Sequence, residues 1–243
     1  MKTIILLILS CFISRPVYCQ LNDTINYHLN YAGTGIINKT NDGNSYNLNN
    51  NVRFNISKKQ LFMNTSNSWI YGIQSNKVEK NLTNNDFSSV IDFNLFKTIN
   101  NFYYWGLGSF DKSYSLKIDN RVQAGLGIGY SVLNNANITV TLSDGVLYEK
   151  SDLYDLEAYE ILRNSFRLKF RFVYKNMIVL DGTDFYQNSL ANSQDYIVKS
   201  ISNLSFKINK LLSLTSSVTY NKLSLTQKEN LLITFGLSLD KYF

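Results

Sequence analysis

A chain of 243 residues, 44% apolar and 14% aromatic, is long enough to form one sizeable domain. Its net charge of +6 comes from 24 basic and 18 acidic residues spread along the chain. That excludes the dense charge run of a nucleic-acid-binding segment. No stretch holds the roughly 20 consecutive apolar residues of a membrane-spanning helix.

Residues 1–19 read as an export leader. Lys2 gives the positive start, Ile4 to Ile13 the apolar stretch, and Val17-Tyr18-Cys19 a cleavage site before Gln20. A lipid-modified Cys19 would need a small residue before it, and Tyr18 is not small. Cleavage removes Cys11, Cys19 and Pro16, so the single domain 20–243 has neither Cys nor Pro. Without Cys there is no disulfide framework, thiolate nucleophile or Cys-ligated metal. Without Pro, no residue forfeits a ladder hydrogen bond in a continuous sheet. Lys2 and Arg15 leave as well, lowering the net charge to +4.

From there the chain alternates with period two almost to its end, the pattern of strands with two unlike faces. Tyr46, Leu48, Val52, Phe54 and Ile56 oppose Asn47, Asn49, Asn51, Arg53 and Asn55. Val122, Ala124, Leu126, Ile128 and Tyr130 oppose Arg121, Gln123, Gly125, Gly127 and Gly129. Phe166, Leu168, Phe170, Phe172 and Tyr174 oppose Ser165, Arg167, Lys169 and Arg171. Twelve strands are expected, near 24–38, 46–57, 60–74, 86–97, 102–112, 120–133, 138–149, 163–174, 177–187, 194–208, 211–223 and 231–243. Links after the even strands are short. Those after the odd strands are longer and more polar, notably 75–85 and 150–162. This is how outer-membrane barrels arrange their two rims, and it makes the strand count even: twelve, with ten as the alternative.

Aromatics near strand ends (Trp69, Tyr71, Phe102 to Trp105, Tyr148, Tyr174, Phe185, Tyr186, Tyr196 and Tyr220) suit a girdle at the membrane interface. The last strand carries Leu231, Ile233, Phe235, Leu237, Leu239 and Phe243 on one side, with Lys241 breaking the series. A terminal strand ending in Phe243 is the signature that outer-membrane assembly machinery reads.

Few residues could carry chemistry. His28 is the only histidine, so any Ser-His-Asp constellation must be built on it, and it falls near the inner rim, away from lipid chemistry at the outer one. Gly125, Gly127 and Gly129 resemble a phosphate-binding pattern, but no helix follows to present its amide end. They read as small inward residues that let neighbouring side chains fill a lumen. Five acids in Glu149 to Glu160 (Glu149, Asp152, Asp155, Glu157, Glu160) lack the order of a calcium loop, and Ser151 could cap a short helical turn there. The ladder of Arg167, Lys169 and Arg171, with Arg53 and Arg121, is the most suggestive feature. Such charges at mid-membrane would cost about 2–4 kcal/mol each facing lipid, so they are expected in the lumen with Asp92 and Asp184. They form either a charged constriction or salt bridges that plug the barrel, with Asp181 as a further partner. A two-residue turn at Lys175-Asn176 would set Arg167 opposite Asp184, unless a bulge at Asp181-Gly182 turned Asp181 inward instead.

The stretches Asp86-Phe87-Ser88-Ser89, Tyr104-Trp105-Gly106-Leu107-Gly108, Ser113 to Ile118, Arg121 to Tyr130, Asp144 to Glu149 and Arg163 to Arg167 resemble a known family. It is the salt-induced outer-membrane protein family, number 481 among the domains of unknown function, in a Bacteroidetes-like version, and the likeness runs over residues 40 to 243. The resemblance implies an outer-membrane barrel tied to osmotic or acid stress, and carries over no catalytic residue.

The expected molecule is therefore all-β: a closed, antiparallel, up-and-down transmembrane barrel in the outer membrane of a Gram-negative cell. It is monomeric and non-enzymatic, with no cofactor and no metal, and its partners are outer-membrane lipid and the assembly machinery. A narrow pore or a stress-related envelope component is the expected role. The alternatives are a lipid hydrolase or acyltransferase built on His28, and a soluble periplasmic barrel that turns its apolar faces inward around a ligand.

Overall fold

The computed structural model describes residues 25–40, 43–76, 78–96, 101–154 and 156–243. The leader and its cleavage site lie outside them, as does Asp155 of the acidic run. Twelve strands follow one another: β1 (Asn26–Lys39), β2 (Gly43–Lys58), β3 (Leu61–Asn76), β4 (Lys80–Phe96), β5 (Phe102–Ser113), β6 (Ile118–Asn134), β7 (Ile138–Leu153), β8 (Leu156–Tyr174), β9 (Ile178–Ser189), β10 (Tyr196–Lys207), β11 (Leu212–Leu223) and β12 (Lys228–Tyr242). Each pairs antiparallel with its sequence neighbours, and β1 pairs with β12 to close the ring. The seam runs from His28 beside Tyr242 to Gly35 beside Phe235. All-β architecture and closure thus follow the period-two pattern, strand by strand.

Two details differ from expectation. The stretches read as long polar loops, 75–85 and 150–162, are mostly strand: β4 begins at Lys80, β7 runs to Leu153 and β8 restarts at Leu156. Ser151 lies within β7, so the expected helical turn does not form. Strands of 12 to 19 residues exceed the roughly 9–11 needed to cross a bilayer. A wall of this height would project beyond a bilayer; the rim opposite the termini is called here the far rim.

The faces sort by polarity. Outward side chains form an apolar belt in which Leu126, Ile128, Phe166, Phe235, Leu237 and Leu239 are 43–73% exposed. Inward positions carry Arg121, Arg163 and Arg167 at 0–5% exposure, with many Ser, Thr and Asn. Burying polar groups inside while exposing aliphatics outside is the reverse of a soluble fold and suits lipid on the outside. It overturns the soluble barrel with inward apolar faces. Within the belt, Trp69, Tyr148, Tyr174 and Tyr186 point outward at 44–61% exposure. Tyr103 and Trp105, expected in the girdle, point inward at 3% exposure each.

Candidate functional site

The lumen is where polar chemistry converges, and it builds up in tiers from the termini side, or near rim. Lowest lies His28, whose Nε2 is 2.8 Å from Asp240 Oδ1 and whose Nδ1 is 3.1 Å from the Asn55 amide. Its ring stacks on Tyr242 at 4.2 Å. Both ring nitrogens are thus occupied, leaving neither to activate a serine hydroxyl. This cluster ties β1 to β2 and β12 across the seam.

Arg53 on β2 reaches over the lumen to Asp181 on β9 at 3.5 Å, and Asn203 donates to the same carboxylate at 3.3 Å. Arg171 sits opposite Asp181 on the ladder and is exposed at the near mouth. Arg167 therefore does not face Asp184: it aligns with Phe185, while Asp184 aligns with Leu168 on the outward face and bonds Ser200 at 2.5 Å. The expected lumen position of Asp184 is thus wrong by one residue of register. The cause is the turn. Lys175 and Asn176 take positive φ of 49° and 54°, as a tight hairpin turn asks, but Met177 is an extra residue and Tyr174 aligns with Ile178. That register turns Ile178 and Leu180 outward and Asp181 to Arg53, so tertiary pairing outweighs the shortest turn.

The middle tier is crowded. Asp92 on β4 takes Arg167 at 3.1 Å and also Lys169, both from β8. The Arg167 guanidinium lies 4.9 Å from the Trp105 ring centroid and 5.8 Å from that of Phe185, within cation–π range. Trp105 can lie against the β6–β7 wall because that wall has no side chains there. A Cβ on Gly127 would stand 2.7 Å from Trp105 Cε2, and one on Gly145 2.5 Å from its Cζ2. Gly129 makes the same room for Tyr103, and Gly125 for Leu147.

Above it, Asp111 holds Arg121 at 3.1 Å and Lys199 at 3.4 Å. Lys199 also reaches Ser88 on β4, the strand diametrically across the ring from β10, at 3.3 Å. Gln123 donates to Gln187 across the lumen at 3.0 Å and to Glu149 at 2.6 Å. Glu149 is fully buried and also accepts from Arg163 (2.8 Å), Ser151 (2.9 Å) and Tyr159 (2.8 Å). Arg163 adds a two-pronged pair with Asp195 at 2.9 and 3.0 Å. Acids of the 149–160 run therefore diverge, Glu149 inward onto Arg163 and Glu160 outward onto Lys150 at 2.8 Å.

An apolar cap closes the far end, made of Leu116, Ile118, Leu153, Ile197 and Leu223 with Tyr159 and Leu225 packed on it. Asp86 aims the β5–β6 turn into it. Its carboxylate takes Ser113 Oγ (2.8 Å), Ser115 N (3.0 Å) and Ser115 Oγ (2.7 Å), and Ser113 Oγ in turn accepts the Leu116 amide at 3.1 Å.

Sequence reasoning placed Glu149 in an acidic run and Trp105 in the girdle, and gave no lumen role to Arg163, Asp195, Asp111 or Lys199. Arg163 is in step with Ser165 and Arg167, a signal that was present. Asp195 lies in a turn and gave none. The stretches that carried the family resemblance supply Asp86, Trp105, Arg121, Glu149, Arg163 and Arg167, so they converge on this one lumen.

The family model described as "Protein of unknown function, DUF481" matches residues 35–239. A search of curated proteins finds no match. Among solved structures, an outer membrane channel from Pseudomonas putida F1 superposes with a TM-score of 0.50 at 9% identity, over 95% of this chain and 100% of that one. The translocator domain of the autotransporter NalP from Neisseria meningitidis gives 0.49 at 13% identity, over 98% and 94%. The likeness to the channel shows a shared fold, a closed antiparallel barrel.

Proposed function

We infer that this chain, which belongs to the DUF481 family of proteins of unknown function, is an outer-membrane barrel whose lumen is closed to solutes at rest. The observation that carries the reading is the set of bonds joining opposite walls at successive depths. Arg53 meets Asp181, Arg167 and Lys169 meet Asp92, and Lys199 meets both Asp111 and Ser88. Charged rings that select ions line a pore and leave its axis free; these groups cross the axis. Parting them would strand Asp92, Asp111 or Arg167 in a desolvated site, which is costly. Export through cleavage after Cys19, assembly through the strand ending in Phe243, and a stress-related role of the salt-induced, Bacteroidetes-like kind belong to the same reading.

Conductance across a planar bilayer tests closure. The folded full-length protein should give no steady open-channel current. A Trp105→Ala/Arg167→Ala variant, which empties only the middle tier, should stay closed as well, because the far cap and the Lys199 and Arg53 crossings remain. Steady current from the unaltered protein would overturn the closed reading. Protein level followed after an osmotic or acid shift tests the stress role, which a flat response would remove.

A further inference from the structure

The apolar belt is broken at depths within two residues of each other on two opposite sides. On one side, Asp144 on β7 and Asp184 on β9 point outward, aligned with Ile128 and Leu168. Each is the seventh residue of its strand counted from the near rim. Among the described residues each carboxylate has one bond, Asn164 to Asp144 at 2.9 Å and Ser200 to Asp184 at 2.5 Å. A carboxylate can accept about four hydrogen bonds, and hydrocarbon supplies none. The outward lysines with acid partners, Lys112, Lys150 and Lys222, lie toward the far rim and do not reach this depth.

On the other side, Asn50 on β2 and Asn67 on β3 point outward, aligned with Trp69 and Val52. Their carbonyl oxygens already accept from Tyr31 (2.9 Å) and Ser89 (2.8 Å), so what they can offer a partner is NH2. Counted from the near rim, Asn67 is the seventh residue of β3 and Asn50 the ninth of β2. β3 and β9 lie on opposite sides of the twelve-strand ring.

We propose that copies of this chain associate side by side in the membrane, the Asn50–Asn67 face of one against the Asp144–Asp184 face of the next. Copies in one bilayer share one depth, so the acceptor face of one and the donor face of its neighbour meet at the same level. The two faces differ, which makes the contact head-to-tail; because they are diametrically opposed, it propagates as a row instead of closing into a pair. This replaces the expectation of a monomer and does not depend on whether the lumen is closed.

Trp69 and Tyr186 provide the test. They are the ninth residues of β3 and β9, both outward and 47% and 46% exposed. In the full chain, with Cys11 and Cys19 changed to Ser, Trp69→Cys and Tyr186→Cys are introduced singly and together, and outer membranes are oxidised. The double variant should give a ladder of dimers, trimers and larger species, and each single variant only monomer. Dimers from a single variant would mean a symmetric contact, and no ladder from the double variant would mean no contact between copies, a different partner included. Either result overturns the proposal. Adding Asp144→Leu and Asp184→Leu to the double variant should abolish the ladder while urea unfolding in lipid vesicles shows the barrel still folded; a persisting ladder in the folded variant would also overturn the proposal.

Discussion

Removing Glu149 should unbalance the most deeply buried charge cluster of the lumen. Glu149 and Arg163 are both fully buried, and Glu149 also accepts from Gln123, Ser151 and Tyr159. Glu149→Ala strips those donors of their acceptor and leaves Arg163 with Asp195 alone. Breaking a buried pair by deleting one partner costs roughly 3–5 kcal/mol. Because Asp195 still neutralises Arg163, the loss should fall near the lower end, about 3 kcal/mol, or on the order of 150-fold in the unfolding equilibrium. Arg163→Leu should cost more, near the upper end of that range, because two buried carboxylates then lose their cation together. Lys150→Ala, which breaks the exposed pair with Glu160, should leave the midpoint unmoved. Urea unfolding of the three variants in lipid vesicles, followed by tryptophan fluorescence, orders them. A Glu149→Ala barrel no less stable than Lys150→Ala would refute the view that this cluster holds the far half of the lumen together.

Gly127→Val should distort the middle tier, since even a Cβ there would lie 2.2 Å from the Asp144 carbonyl oxygen and 2.7 Å from Trp105; a loss of about 1–3 kcal/mol with a shifted tryptophan emission is expected, and an unshifted spectrum would argue against close packing. His28→Ala should lower stability by about 1 kcal/mol through the lost Asp240 and Asn55 bonds and leave lipid-hydrolysis assays at background; lost hydrolysis would revive the enzyme reading. The mature protein should begin at Gln20, and mass spectrometry finding a lipid on Cys19 would contradict that.

The barrel was legible because its two faces face different solvents. Alternation in Phe166 to Tyr174 or Arg121 to Tyr130 can be read without knowing any partner strand, and twelve segments appear in order with bounds mostly within a few residues. The far rim was harder to read. Polar residues at 80–85 and 150–162 look like loop because a strand projecting beyond the bilayer needs no apolar outward face. Register was the weakest point: Lys175-Asn176 gives the turn, but the extra Met177 depends on Asp181 finding Arg53, a contact between residues 128 apart in sequence. Trp105 was misplaced for the same reason, since its inward position depends on Gly127 and Gly145 from two other strands.

A twelve-strand barrel encloses an interior between the filled eight-strand and the open sixteen-strand cases, so its side chains must decide whether a passage remains. Here the decision is divided between unequal walls. On β11 and β12 the mid-lumen inward residues are short: Ser213, Thr215, Ser217, Thr219, Thr234 and Ser238 are all buried. They bond along the wall, as Thr34 with Thr234 at 2.7 Å and Thr215 with Ser238 at 2.9 Å, and so consume one another's polarity. From β5 to β9 the long side chains of Tyr103, Trp105, Arg121, Arg163 and Arg167 stand among short ones, and the glycines of β6 and β7 let aromatic rings lie against that wall. Short hydroxyls cannot cross a lumen, but they leave room beside them for a long side chain to extend. Lys199, flanked by that hydroxyl wall, can therefore reach Ser88 and Asp111 with a single side chain. Beneath the apolar cap the charged tiers thus rest on a few long cations, and a Lys199→Ser variant, which extends the hydroxyl wall by one residue, should widen the upper tier without disturbing the Glu149 cluster.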